Sequence, residues 1–118
     1  MARNQNDLVQ RTFRFADRVR DLVNHVPRTL ANVEDAKQLV RASGSIAANY
    51  IEAQEGLSRK DFFYRIKVCR KEARESGLWL RLLRLDPDST LAAEVEKLVA
   101  EASELKRIFA SIANQDDT

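Results

Sequence analysis

Apolar residues recur at alternating steps of four and three along four stretches of this chain. Residues so spaced share one face of an α-helix, so the rhythm leaves room for little besides helices packed side by side. Between about Asp7 and His25 the seam is Leu8, Thr12, Phe15, Val19, Leu22 and Val26, with a second row of Val9, Phe13, Ala16 and Val23 beside it. Between about Glu34 and Gln54 it is Leu39, Ser43, Ile46, Tyr50 and Ala53. From about Ser58 to Leu85 it is Phe62, Ile66, Cys69, Ala73, Ser76, Leu80 and Leu83, and from about Asp88 to Ala113 it is Leu91, Val95, Leu98, Ala102, Leu105, Phe109 and Ile112. Sustained apolar–polar alternation, the mark of a strand, is absent.

The chain's few breakers fall between these stretches. Pro27 follows the first, Gly56 the second, and Pro87 separates the third from the fourth. Asn32 with Asp35 resembles a capping box for the second helix, and Ser58 with Asp61 resembles one for the third. Asp86 before Pro87 suits an N-cap followed by proline at the first helical position. Pro27 to Val33 is the only long connection expected. These features predict an all-α fold, an antiparallel up-down-up-down four-helix bundle, formed by one domain over residues 1–118.

Several function classes drop out. One cysteine, Cys69, permits no intrachain disulfide. The opening MARNQNDLVQRTFRF has no apolar core of a leader peptide, and no apolar run approaches the roughly 20 residues that span a bilayer. A cytoplasmic protein with no membrane partner is expected. Glu72 and Glu75, like Glu52 and Glu55, stand three apart, but a dinuclear metal site in a bundle wants Glu-x-x-His, and no histidine follows a glutamate at that spacing. His25 has no evident nucleophile beside it, and Cys69 lies on a core seam, where a buried thiol is inert. No metal, no cofactor and no enzymatic activity are expected.

The third stretch carries more apolar surface than its seam needs. Leu78, Trp79 and Leu82 lie off it, and they either widen the core stripe or form a self-association surface. Charge is also unevenly placed. The totals of 20 Lys and Arg against 18 Asp and Glu look balanced. Yet residues 1–84 hold 17 against 10, and residues 85–118 hold 3 against 8. On the third stretch Lys60, Tyr64, Lys67, Lys71, Arg74, Leu78 and Arg81 repeat the four–three rhythm. They predict a positive stripe about 30 Å long at 1.5 Å per residue. Arg11, Arg14 and Arg18 add cations along one side of the first helix. A phosphate backbone is bound by such rows through counterion release, and the tyrosine suits stacking on a base. The competing reading is a solvated face partly paired with nearby acids.

Arg41, Asn49 and Glu52 share a face with Ser45 close to the core edge. Polar groups there need partners, so an inter-helix polar clasp is expected, with Arg74 or Lys71 of the next helix supplying them.

Ser45-Ile46-Ala47-Ala48-Asn49-Tyr50-Ile51-Glu52-Ala53, Ser58-Arg59-Lys60-Asp61-Phe62, Lys71-Glu72-Ala73-Arg74-Glu75 and Trp79-Leu80-Arg81-Leu82-Leu83 resemble the bacterial four-helix-bundle intervening-sequence proteins, also labelled S23 ribosomal proteins. The likeness is strong over about Leu39 to Leu85. Ala47 stands where a glycine is common, and Gly77 where a bulkier residue is usual. The resemblance implies a ring-shaped homopentamer. Related proteins accompany reverse transcriptases of diversity-generating retroelements. Two functions are therefore carried forward: a homo-oligomer that binds RNA or DNA through the basic stripes, or a scaffold that presents repeated surfaces to an enzyme such as a reverse transcriptase or to a ribosomal partner, without direct nucleic-acid binding.

Overall fold

The computed structural model describes residues 5–116, with side chains from Asp7. The two ends of the expected 1–118 domain, and the first residues of the stretch read as lacking a leader, lie outside the described residues. Four helices account for most of the chain: α1 (Gln5–Val23), α2 (Leu30–Glu55), α3 (Arg59–Leu82) and α4 (Thr90–Ala113). None is long and apolar enough to cross a membrane.

Each helix packs on its neighbours in sequence, α1 on α2, α2 on α3 and α3 on α4, while α4 closes back on α1 through the thinnest seam. Every pair runs antiparallel. Arg41 meets Glu72 while Asn49 meets Arg65 across α2 and α3. Arg11 meets Glu101 while Arg18 meets Glu94 across α1 and α4. This is the up-down-up-down bundle that the four seams predict.

The seams themselves are the core. The five seam residues of α1, with Val26 just past its end, and all five of α2 are buried. So are six of seven on α3, where Phe62 is half-buried and its neighbour Phe63 points inward, edge-on to it at 5.1 Å. On α4 the middle positions Leu98, Ala102, Leu105 and Phe109 are buried, while Leu91, Val95 and Ile112 sit at the margin. Seam hydroxyls bond to their own helix: Thr12 Oγ1 donates to the Leu8 carbonyl at 2.8 Å and Ser43 Oγ to Val40 at 3.2 Å. Cys69 donates to the Ile46 carbonyl across the α2–α3 interface, and burial pushes its thiol up to about 12.

Two expected helix starts are corrected. Helix α2 begins four residues earlier than its apolar rhythm, at Leu30, because Thr29 is the N-cap: its Oγ1 accepts from the Asn32 amide at 3.1 Å. Asn32 is instead a fully buried tie between loops. Its Nδ2 donates to the carbonyls of Pro27 and Arg84, both at 3.0 Å, and its Oδ1 accepts from the Arg84 amide at 2.8 Å. Helix α4 begins at Thr90 under a Ser89 cap, and Asp86 shapes the turn before it by accepting the Asp88 amide on its side chain. Helix α3 ends at Leu82, three residues early, so the α3–α4 connection is the longer one. The Ser58 cap and the left-handed stop at Gly56 (φ 61°) fall where the sequence puts them.

Candidate nucleic-acid interface

The four–three row on α3 faces solvent along its whole length. Lys60, Tyr64, Lys67, Lys71, Arg74, Leu78 and Arg81 are all exposed, opposite the buried seam of the same helix. From Lys60 to Arg81 the row spans about 31 Å. Lys67 pairs with Asp116 at 3.3 Å. Lys60, Lys71, Arg74 and Arg81 have no ion-pair partner among the described residues. Tyr64 is 59% exposed, with the Arg65 guanidinium 5.8 Å from its ring centre.

The α1 cations behave differently. Arg11 grips Glu101 with two hydrogen bonds, Nε to Oε2 at 2.7 Å and Nη2 to Oε1 at 2.9 Å. The Glu101 hydrogen bond raises the Arg11 pKa, against an opposing contribution from burial. Arg18 bonds to Glu94, with Nη2 3.1 Å from Oε2. Arg14 is exposed. The acidic last helix thus spends Glu94 and Glu101 on α1, across the helix pair with the thinnest contact. On the outer row of α3, Lys60, Lys71, Arg74 and Arg81 are left to solvent.

The polar clasp exists between α2 and α3, and its centre is Glu72, which is 5% exposed. Glu72 Oε2 accepts from Arg41 Nη1 and Ser45 Oγ, both at 3.3 Å, and Arg41 Nη2 also reaches Glu75 at 3.6 Å. Asn49 joins through Arg65, whose Nη1 donates to Asn49 Oδ1 at 3.0 Å, while Asn49 Nδ2 donates to Ser45. Glu52 is exposed and has no partner among the described residues. The partners from α3 are therefore Glu72, Glu75 and Arg65, and neither Lys71 nor Arg74 takes part. The reason is angular. Residues 65, 72 and 75 lie on the α2 flank of α3, whereas 71 and 74 lie on its outer face.

A second bridge was not legible in the sequence. Arg20 of α1 donates to Ser43 Oγ and to the Val40 carbonyl, both at 3.4 Å. A Cβ on Gly44 would stand 3.0 Å from its guanidinium. The mid-helix glycine makes room for that arm. Of the three residues read as surplus apolar surface, Leu78 and Leu82 are 47% and 39% exposed, and Trp79 is half-buried against the core.

A family model described as 23S rRNA-intervening sequence protein matches residues 4–111. Among solved structures the chain is similar to one from Bacteroides thetaiotaomicron VPI-5482, described as a protein with unknown function from the S23 ribosomal protein family. The two share 29% identity and a TM-score of 0.76, over 93% of this chain and 97% of that one. No curated protein matches the chain.

Proposed function

The chain belongs to the 23S rRNA-intervening sequence protein family, and on that footing we propose that it acts by binding and not by catalysis, as a cytoplasmic homo-oligomer that holds RNA or DNA on the outer face of α3. The observation that carries this reading is the fully exposed row from Lys60 to Arg81, four of whose five cations have no acid partner among the described residues. A helix surface that served only solubility would interleave its charges with acids at steps of three and four. Here Glu72 and Glu75 of α3 turn to Arg41 of α2, and Glu94 and Glu101 of α4 turn to α1.

Self-association is supported by a second surface. Arg20 and Gly44 fix the level at which α1 and α2 meet. Two turns from them on each helix stand Phe13 and Ile51, 59% and 51% exposed. Because the helices run antiparallel, the two lie at one level on the α1–α2 side, away from the α3 row. An apolar patch there can bury itself against another copy without covering the cations. A closed ring, the pentamer that the resemblance implies, would repeat the basic row around its circumference.

The test is a titration with short RNA and DNA at two salt concentrations. Binding should weaken steeply with salt. Changing Lys67, Lys71, Arg74 and Arg81 together to glutamine should lower the slope of log affinity against log salt by roughly 3, at about 0.7 to 0.9 per lost phosphate contact. The melting temperature should hardly move, since these side chains are exposed and the one surface pair lost contributes at most about 1 kcal/mol. Absence of binding at low salt would refute the reading. A nuclease-insensitive, stoichiometric protein partner would then favour the scaffold. Light scattering should give a mass well above the 13.5 kDa of one chain.

A further inference from the structure

The outer face of α3 is not uniform, because at Gly77 it opens into a groove. This depression of about 710 Å³ lies between α3 and α4, and its lining includes Arg74, Gly77, Trp79 and Arg81 of α3 with Ala102 and Lys106 of α4. The absent side chain at position 77 creates the depth. A Cβ built there would meet only the Ala102 Cβ within 4 Å, at 3.8 Å. Arg74 and Arg81 stand seven residues apart on α3, two turns or roughly 10 Å, and Lys106 faces them from α4. All three are exposed and none has an acid partner among the described residues. Glu75, the acid among the lining residues, is held by Arg41 at 3.6 Å.

An apolar floor ringed by three free cations asks for a ligand that is flat and apolar in the middle and anionic at its edges. A phosphate backbone alone would have no use for the floor. The geometry points to this groove as the seat of one unpaired nucleobase of a single-stranded nucleic acid, with the flanking phosphates on Arg74, Arg81 and Lys106. This inference rests on the nucleic-acid reading above and narrows it to single strands. A base within a duplex is stacked and paired, and its release costs energy that a single strand does not spend.

Trp79 is the chain's one tryptophan and lines the groove, so its fluorescence reports occupancy. The full chain is titrated at low salt with an oligouridylate of about 12 nucleotides, a length within the span of single-strand sites, with the deoxy strand of equal length, and with the oligouridylate paired to oligoadenylate. The single strands should quench Trp79 and bind at least tenfold tighter than the duplex. Gly77→Leu, which fills the groove, should abolish the quench and remove about tenfold of single-strand affinity, as expected for one lost base contact, while duplex binding stays as it was. Lys106→Gln, on an exposed side chain that cannot endanger the fold, should likewise weaken the single strands more than the duplex. Gly77→Ala controls for the backbone, since its Cβ meets Ala102 at ordinary contact distance. Equal binding of single strand and duplex, a silent tryptophan and indifference to Gly77→Leu and Lys106→Gln would overturn the base seat and leave polyanion binding standing. Failure of every strand to bind at low salt would overturn both. A preference between ribo and deoxy strands decides which nucleic acid the groove takes.

Discussion

Replacing Asn32 by alanine tests whether one buried amide holds the two loops at one end of the bundle. Asn32 lies at 0% exposure and makes three hydrogen bonds with its side chain, two to the backbone of Arg84 and one to Pro27. Alanine removes all three and leaves one backbone N–H and two carbonyls without their partner. At about 1 kcal/mol per lost hydrogen bond, with the desolvation of unpaired groups added, the cost is about 3 kcal/mol. At about 2.1 cal/mol/K of unfolding entropy per residue, a chain of 118 residues should then melt roughly 12 °C lower. Thermal unfolding followed by far-ultraviolet circular dichroism reads this directly. Asn32→Asp should be no better, because it keeps the acceptor for the Arg84 amide and turns an oxygen toward two carbonyls. Thr29→Ala should cost about 1 kcal/mol as the loss of an N-cap. If Asn32→Ala melts within a few degrees of the parent while Thr29→Ala is silent, both the loop tie and the cap assignment are wrong.

Three further outcomes follow from the geometry. Phe13→Ser with Ile51→Ser should lower the mass seen by light scattering while leaving the helical signal intact, since both side chains are more than half exposed; an unchanged mass would rule out that surface as the interface. The Arg11–Glu101 pair, two-pronged and only about a quarter exposed on each side, should show a coupling near 1 kcal/mol in a double-mutant cycle that shrinks in high salt, whereas strict additivity would mean the pair is ornamental. The Cys69 thiol, raised to about 12 from its ordinary 9.0, stays protonated in the fold after the unfolded chain has begun to ionise. Its contribution is therefore complete below pH 9 and is lost as pH rises from 9 toward 12. Native protein at pH 8 should resist alkylation, and rapid labelling without unfolding would contradict the burial.

The apolar seams could be read from the sequence because burial on a helix is periodic and each residue reports its own face. Positions such as Leu39, Ile66 and Leu105 declare themselves without knowledge of any partner. Caps are harder. Thr29, Asn32, Asp86 and Ser89 all belong to the same small set of capping residues, and only the path of the loops decides which one turns the corner. Pairings were hardest of all. That Asn49 meets Arg65, or that Arg11 meets Glu101, depends on the register between helices, which the periodicity of either helix alone does not contain. The outer row on α3 was legible because it is the exact complement of that helix's seam. The groove over Gly77 was visible only as an odd glycine until Ala102 came to lie opposite.

The α1–α4 seam also says something about time. Its two ionic links join residues 90 and 76 positions apart, the widest separations bridged by any side-chain bond described above. The α2–α3 turn, by contrast, is three residues long. Closing a long loop costs chain entropy that must be spent before any contact rewards it. The three sequential pairs, α1 on α2 included, can condense across short turns first, and the α1–α4 contact is the one that closes the bundle last.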